Sequence, residues 1–285
     1  IVAVGIPKTI DNDLVETDHT PGFGSAARYV AASVAEVYLD TIVYPLPAVT
    51  IVEIMGRNAG WLTAASVLAR RDGVKAPHLI YLPEVAFEPD RFIERVTRAV
   101  EAERQIVVAV SEGIRLSDGS YLADTGASED MFGHKTLGGV AETLETMIKE
   151  RVKIDKIKTR AIQFSTLQRA AAHMASATDL KESYECGYRA VEVALQGVAD
   201  VMITIRRASD EPYLTTYEAS SLGGIANKEK KVPIEWISKD GADVTEEMIR
   251  YLKPLVRGEA TEKMEGGLPK FFRFDMTKLV DPAKL

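Results

Sequence analysis

Apolar, β-branched runs alternate along this chain with helical stripes, and no other feature constrains the fold as tightly. The runs are Ile1-Val2-Ala3-Val4, Ala48 to Met55, His78 to Glu84, Gln105 to Val110, Thr159 to Phe164 and Val201 to Ile205. They read as buried strands. Between them, Phe23, Ala27, Val30, Val34 and Val37 recur at helical spacing. Helices are also predicted from Trp61 to about Arg71 and from Pro89 to Glu103, the latter with Phe92, Val96 and Val100 inward. Leu137, Val140, Leu144 and Met147 mark another helix, ending near Arg151. Asp179 to Gln196 carries Leu180, Tyr184, Gly187, Val191 and Leu195 on one face, and Val244 to Val256 suits a closing helix. Strand–helix alternation of this kind predicts an α/β fold of largely parallel sheets flanked by helices. Ser117 to Gly133 reads as a surface loop or small hairpin, and Gly266-Gly267-Leu268-Pro269 as part of an irregular wrap.

Composition narrows the function classes. The chain has 285 residues and a net charge of -7, which argues against a nucleic-acid surface or a polybasic membrane anchor. Any phosphate-ester ligand would need a local basic patch. The lone Cys186 cannot form an internal disulfide, reads as a core thiol and suits a reducing compartment. No apolar run reaches the roughly 18 residues of a membrane span. A cytoplasmic protein is expected. Residue 1 is Ile rather than Met, and a strand begins there without lead-in. The expectation is a longer polypeptide, with one or more βα units preceding Ile1.

The polar residues that could do chemistry gather where strands end. Gly5 and Pro7 break the first run, so Lys8, Thr9, Asp11, Asn12 and Asp13 fall on a loop at its carboxyl end. Ligands bind at that edge of open α/β sheets. Spacing alone leaves two readings, a catalytic loop or an acidic turn that caps the next helix. The second strand runs into Met55-Gly56-Arg57, where a glycine permits close approach and an arginine offers a planar five-donor fork. The fourth ends in Ser111-Glu112-Gly113. Arg160 lies on the fifth and Arg169 shortly after it. His19 suits a helix-entry hydrogen bond, His134 a loop, His173 a structural position, and Trp61 and Trp236 packing. The run Lys228-Glu229-Lys230-Lys231 reads as solvated surface.

Pro7-Lys8-Thr9-Ile10-Asp11-Asn12-Asp13 resembles the active-site loop of the phosphofructokinase family, and further matches follow in order over most of the chain. Met55-Gly56-Arg57 is similar to the family's substrate loop, and Arg160 and Arg169 fall on its phosphate-binding arginine and on the arginine of its Gln-Arg pair. The resemblance implies a phosphofructokinase-like fold without its first βα units. Residues 1–50 would be the remainder of a donor-binding domain, and 51–285 mainly a sugar-phosphate-binding domain with a C-terminal wrap. The boundary is approximate, because such a chain can cross between domains more than once.

The same resemblance implies roles. Asp11 would be the base, Thr9 would orient the attacked phosphate, and Lys8 and Arg57 would stabilise transferring charge. Thr9, Ile10, Asp11, Met55, Gly56, Arg57, Glu112, Arg160, Thr166 and Arg169 would bind fructose 6-phosphate. Asp13 would hold a magnesium ion directly or through water, with the main metal carboxylate upstream of Ile1. Arg160 would reach an adjacent subunit's site, so a homo-oligomer is implied. Two positions depart from many relatives: Ala48 replaces a second phosphate-binding arginine, and Thr166 replaces a histidine or tyrosine. Lys8 resembles the pyrophosphate-dependent members, which transfer to fructose 6-phosphate from pyrophosphate. ATP as donor, and a non-catalytic sugar-phosphate-binding fragment, remain the alternatives.

Overall fold

Strands branched on both faces need cover on both faces, and the central strands here receive it from helices. The computed structural model describes residues 3–123, 139–260 and 264–271. In chain order come β1 (Val4–Gly5), α1 (Phe23–Thr41), β2 (Ala48–Ile54), α2 (Trp61–Ala65), β3 (Leu79–Tyr81), α3 (Pro89–Glu103) and β4 (Gln105–Ser111). Then follow α4 (Val140–Arg151), β5 (Lys158–Gln163), α5 (Leu167–Ala170), α6 (Ala177–Leu195), β6 (Val201–Asp210) and β7 (Tyr213–Ser221). The short α7 (Leu222–Ile225), α8 (Glu246–Leu252) and the pair β8 (Met264–Glu265) and β9 (Leu268–Pro269) complete the described elements.

Two main sheets result. One is ordered β3-β4-β2-β5 and is parallel throughout, with Ile54 opposite Ser111 and Glu53 opposite Gln163. The other is β1-β6-β7, in which β1 runs parallel to β6 and β7 returns antiparallel. The strand that carries the acidic loop is therefore completed by residues some two hundred positions away. The core of the four-stranded sheet lies on both its faces. Val49, Ile51, Val108 and Val110 pack with Phe92, Val96, Leu144 and Ile148. Val52, Ile54, Val107 and Ala109 pack with Phe23, Val30, Val34 and Leu62.

Several predicted elements differ in extent. The α2 helix stops at Ala65 and tightens into a 3-10 turn over Ser66–Ala69, a common way for a helix to finish. Arg70 then leaves helical geometry, with its guanidinium on the Pro77 carbonyl and Asp243. The β3 strand keeps three residues of the expected seven, and α8 stops at Leu252. Gly266 and Gly267, both at positive φ, turn a two-stranded hairpin rather than an irregular wrap. Ile1, Val2, Leu137, His134 and the part of the expected excursion over 124–133 lie outside the described residues.

The largest surprise is the face of α6. Leu180, Tyr184, Val191 and Leu195 do share a face, but it is exposed, with Leu195 at 83%. Buried instead are Asp179, Glu182, Cys186, Ala190 and Val193. Hydrogen bonding accounts for the choice. The first helical N–H groups of α1 have no side-chain cap of their own, since Gly22 stands at that position. Asp179 supplies one, accepting from the Gly22 N–H at 2.8 Å and the Ser25 N–H at 3.0 Å. Glu182 accepts from Tyr213 Oη at 2.8 Å and sits 2.6 Å from His19 Nε2. His19 thus bridges Asp18 and Glu182 rather than making a helix-entry bond. Cys186 is fully buried and burial pushes its thiol up to about 12, as befits an inert core thiol.

Replacing Asp179 with Ala should lower the unfolding free energy by about 1–3 kcal/mol, since two backbone donors lose their partner. Val191→Ser on the exposed face should change it by less than about 0.5 kcal/mol. Urea unfolding of both variants checks the orientation of the helix.

Candidate active site

The carboxyl ends of β1, β2 and β4 point into one cleft of about 440 Å³ between the two sheets. The loop after β1 contributes Lys8, Thr9, Ile10, Asp11 and Asp13 to its lining. Met55, Arg57 and Asn58 follow β2, Glu112 follows β4, and Arg169 comes from α5 after β5. Four carboxylates therefore face three cations, once Glu229 is counted.

Local conformation explains how a short loop shows so many side chains to one space. Asn12 has φ 58, a left-handed conformation that asparagine tolerates better than most residues, and it is fully buried. With Asn12 turned inward, Asp11 and Asp13 on either side of it both line the cleft. Thr9 Oγ1 accepts the Asp11 N–H at 3.1 Å, which closes the turn. Two glycines let the neighbouring strand ends meet. Gly56 has φ 145, and a Cβ there would lie 2.5 Å from the Ala59 carbonyl oxygen. A Cβ on Gly113 would lie 1.9 Å from the Arg57 carbonyl oxygen, so no other residue fits against that backbone. Ser111 Oγ also donates to the Gly56 carbonyl.

Burial and charge set the proton affinities. Burial raises the Asp11 carboxyl above its ordinary value, while the Thr9 hydroxyl and the charges of Lys8, Arg57 and Arg169 oppose the rise. Asp13 is raised by burial and by the carboxylates of Asp11 and Glu229. Glu112 is pushed up to about 7, chiefly by burial, with Glu53 and Asp11 adding to it against the Gly56 N–H bond at 3.2 Å. Arg57 Nε is buried and has no hydrogen-bond partner among the described residues. A buried guanidinium N–H without a partner is a donor awaiting an acceptor. The lining thus pairs a carboxylate of raised proton affinity with cations that can neutralise phosphate oxygens.

Of the residues singled out from the sequence, Lys8, Thr9, Ile10, Asp11, Asp13, Met55, Arg57, Glu112 and Arg169 are brought together. Gly56 joins them through its N–H to Glu112. Thr166 is not brought in. Ser165 has φ 44, and the reversal sends Thr166 outward while Gln168 turns in and accepts the Met55 N–H at 3.3 Å. Arg160 lies elsewhere too, in a depression of about 370 Å³ with Ala48 and Tyr44, and it pairs with Asp40. Asn58, Glu229 and Lys230 were not legible as site residues. Glu229 belongs to the run expected to be solvated, yet it lines the cleft and accepts from Asn58 Nδ2 at 2.5 Å. No local pattern announces this, because the partners are far apart in sequence.

The phosphofructokinase family profile matches residues 1–195. Among curated proteins, the pyrophosphate–fructose 6-phosphate 1-phosphotransferase of Halomonas elongata is 45% identical over 272 residues, covering 95% of this chain and 64% of that protein. The enzyme of the same name from Methylococcus capsulatus is 45% identical over 271 residues, covering 94% and 64%. Among solved structures, the pyrophosphate-dependent phosphofructokinase of Nitrosospira multiformis superposes with a TM-score of 0.84 at 37% identity, covering 96% of this chain and 65% of that one. The chain thus spans about 64% of the length of the curated relatives it matches. It belongs to the phosphofructokinase family.

A carboxyl whose proton is held more tightly in the folded state makes stability fall as pH rises from its unfolded to its folded value. For Glu112 that window runs from about 4.5 to about 7. Glu112→Gln keeps an acceptor for the Gly56 N–H and removes the titration. The variant should be more stable than the parent above pH 7, by roughly 1–3 kcal/mol, with the difference vanishing near pH 4. Urea unfolding across pH 4 to 8 measures it.

Proposed function

From membership of the phosphofructokinase family we propose that this chain is the larger part of an enzyme that phosphorylates the 1-hydroxyl of fructose 6-phosphate. Pyrophosphate is the donor. The observation that carries the reading is Asp11, a half-buried carboxylate of raised proton affinity, sharing one cleft with Lys8, Arg57 and Arg169.

A sugar hydroxyl becomes an effective nucleophile when a base takes its proton. Asp11 takes it as the oxygen attacks the terminal phosphorus of pyrophosphate. The bridging P–O bond breaks, and the leaving phosphate carries the bonding pair. Phosphoryl transfer needs positioning and charge stabilisation more than covalent chemistry. Thr9 orients the attacked group, Arg57 stabilises charge on the transferring oxygens, and Lys8 stabilises the departing phosphate. Glu112, near neutrality half-protonated, serves the sugar hydroxyls as acceptor or donor, with the Met55-Gly56 backbone and Ile10 beside it. Arg169 grips the distal phosphate. Because one phosphoryl link replaces another, the reaction is nearly reversible.

Magnesium fits the donor set only in part. Among the described residues no group of three or more histidine, cysteine or acidic side chains could hold a metal ion. Mg²⁺ is commonly held by one or two carboxylates together with substrate phosphates and water, and Asp13, crowded by Asp11 and Glu229, suits that arrangement. When bound, the ion would neutralise pyrophosphate charge. In this reading Arg160, remote from the Asp11 cleft of its own chain, serves the cleft of a neighbouring subunit in a homo-oligomer. No helix among the described residues is long and apolar enough to cross a membrane.

In the complete protein, Asp11→Ser should lower kcat by roughly 10²–10⁴, the usual worth of a positioned base. Normal turnover would remove Asp11 from the mechanism. Lys8→Gly should cut the rate with pyrophosphate selectively. A wild-type enzyme active with ATP and indifferent to pyrophosphate would instead make ATP the donor. Binding of fructose 6-phosphate without turnover from either donor would leave only a sugar-phosphate-binding protein.

A further inference from the structure

The segment between α7 and the turn at Ile234–Trp236 closes over the acidic loop from behind. Its Lys230 is half-buried, and its ammonium passes beneath residues 12 to 18. Nζ donates to Asn12 Oδ1 at 3.2 Å, to the Thr17 carbonyl at 3.1 Å and to the Asp18 carbonyl at 2.7 Å. Three donors meet three acceptors, which exhausts the ammonium. The Lys230 N–H donates to the Asp13 carbonyl at 2.6 Å, and its own carbonyl accepts Trp61 Nε1–H at 2.9 Å. Asn12 is gripped from the other side, donating to Tyr251 Oη at 2.9 Å, which in turn donates to the Asp18 carbonyl at 2.7 Å. The residue between Asp11 and Asp13 therefore has both ends of its amide fixed.

We propose that Lys230 is a positioning residue for the transfer reaction, clamping Asn12 so that Asp11 and Asp13 hold their directions into the cleft. It touches no reacting atom. This inference rests on the phosphotransferase reading of the cleft. The groups that face the ammonium are Asp18 and Asp13, which favour its charge, and Arg207, which opposes it. The Trp61 ring lies 5.1 Å away, its face toward the cation. Burial is outweighed neither by these charges nor by the ring, so the clamp depends on all three hydrogen bonds of the ammonium being made.

The test uses the complete protein and Lys230→Met, with kcat, KM and amide hydrogen exchange as readouts. Lys230→Met should lower kcat by roughly 10²-fold, the effect of misplacing a reacting group by about 1 Å, with KM for fructose 6-phosphate changed less than about threefold. In Lys230→Met exchange should quicken in peptides covering residues 9–18 before the rest of the chain. Unchanged kcat, equal losses in kcat and affinity, or a uniform rise in exchange would overturn the proposal. If that variant does not fold, Lys230→Gln decides: kcat lowered at least about tenfold with KM kept, and faster exchange confined to residues 9–18, support the clamp, whereas wild-type kcat and exchange reject it. If wild type turns over no substrate, the phosphotransferase reading fails first, whatever the exchange pattern shows.

Discussion

Parallel pairing of β2 with both β4 and β5 is the constraint from which the rest follows. Parallel strands end at the same edge, so the register of Ile54 with Ser111 and of Glu53 with Gln163 delivers Arg57, Glu112 and Arg169 to one region. Gly113 then fixes the spacing, because its missing side chain is what allows the Arg57 carbonyl to sit against it. A crossover helix between successive strands of this sheet is the topological consequence of that pairing. The cores on both faces of the sheet pin the register, since a slip by one residue would reverse every side chain. The cleft is thus an edge effect of a buried sheet whose interior residues do no chemistry.

The second sheet solves a different problem. Two residues of β1 could not hold a loop rich in charge by their own ladder. The loop is held instead by hydrogen bonds from distant elements: Asp179 and Glu182 of α6, Thr17 Oγ1 against the Ile205 backbone at 3.0 Å, and Arg207 on Asp18 at 3.0 Å. Each of these groups is a buried polar partner that would be costly to leave alone. This is why α6 turns its carboxylates inward and its leucines outward. Apolar count alone would choose the opposite face, but a satisfied polar network outweighs a few exposed methyl groups.

That contrast marks what was legible in the sequence. The four-stranded parallel sheet could be read because its signal is local: branched runs from Ala48, from Gln105 and from Thr159, each followed by a turn and a helix. Most of the cleft could be read for the same reason, since Lys8, Asp11, Arg57 and Glu112 sit immediately after strands. The face of α6 could not, because its orientation is decided by His19 and Gly22, more than a hundred and fifty residues away. Glu229 and Lys230 could not, because a run of charges has one appearance in sequence whether it lies in water or beneath a loop. Thr166 is turned outward through the backbone reversal at Ser165, and nothing in the side chains announces that reversal.

The two kinds of residue also differ in what they ask of the chain. A side chain on a strand end inherits its direction from the sheet, and the sheet is stiff. Asp11 and Asp13 have no such inheritance, because Asn12 between them is bent into a left-handed conformation that costs free energy unless its amide is bonded on both sides. Tyr251 from α8 and Lys230 from the segment before it provide those bonds. Both come from sequence far beyond the strand and loop they serve. The carboxyl-terminal third of the chain, which carries the fewest chemically suggestive residues, therefore holds the acidic loop in the conformation that shows two carboxylates to the cleft.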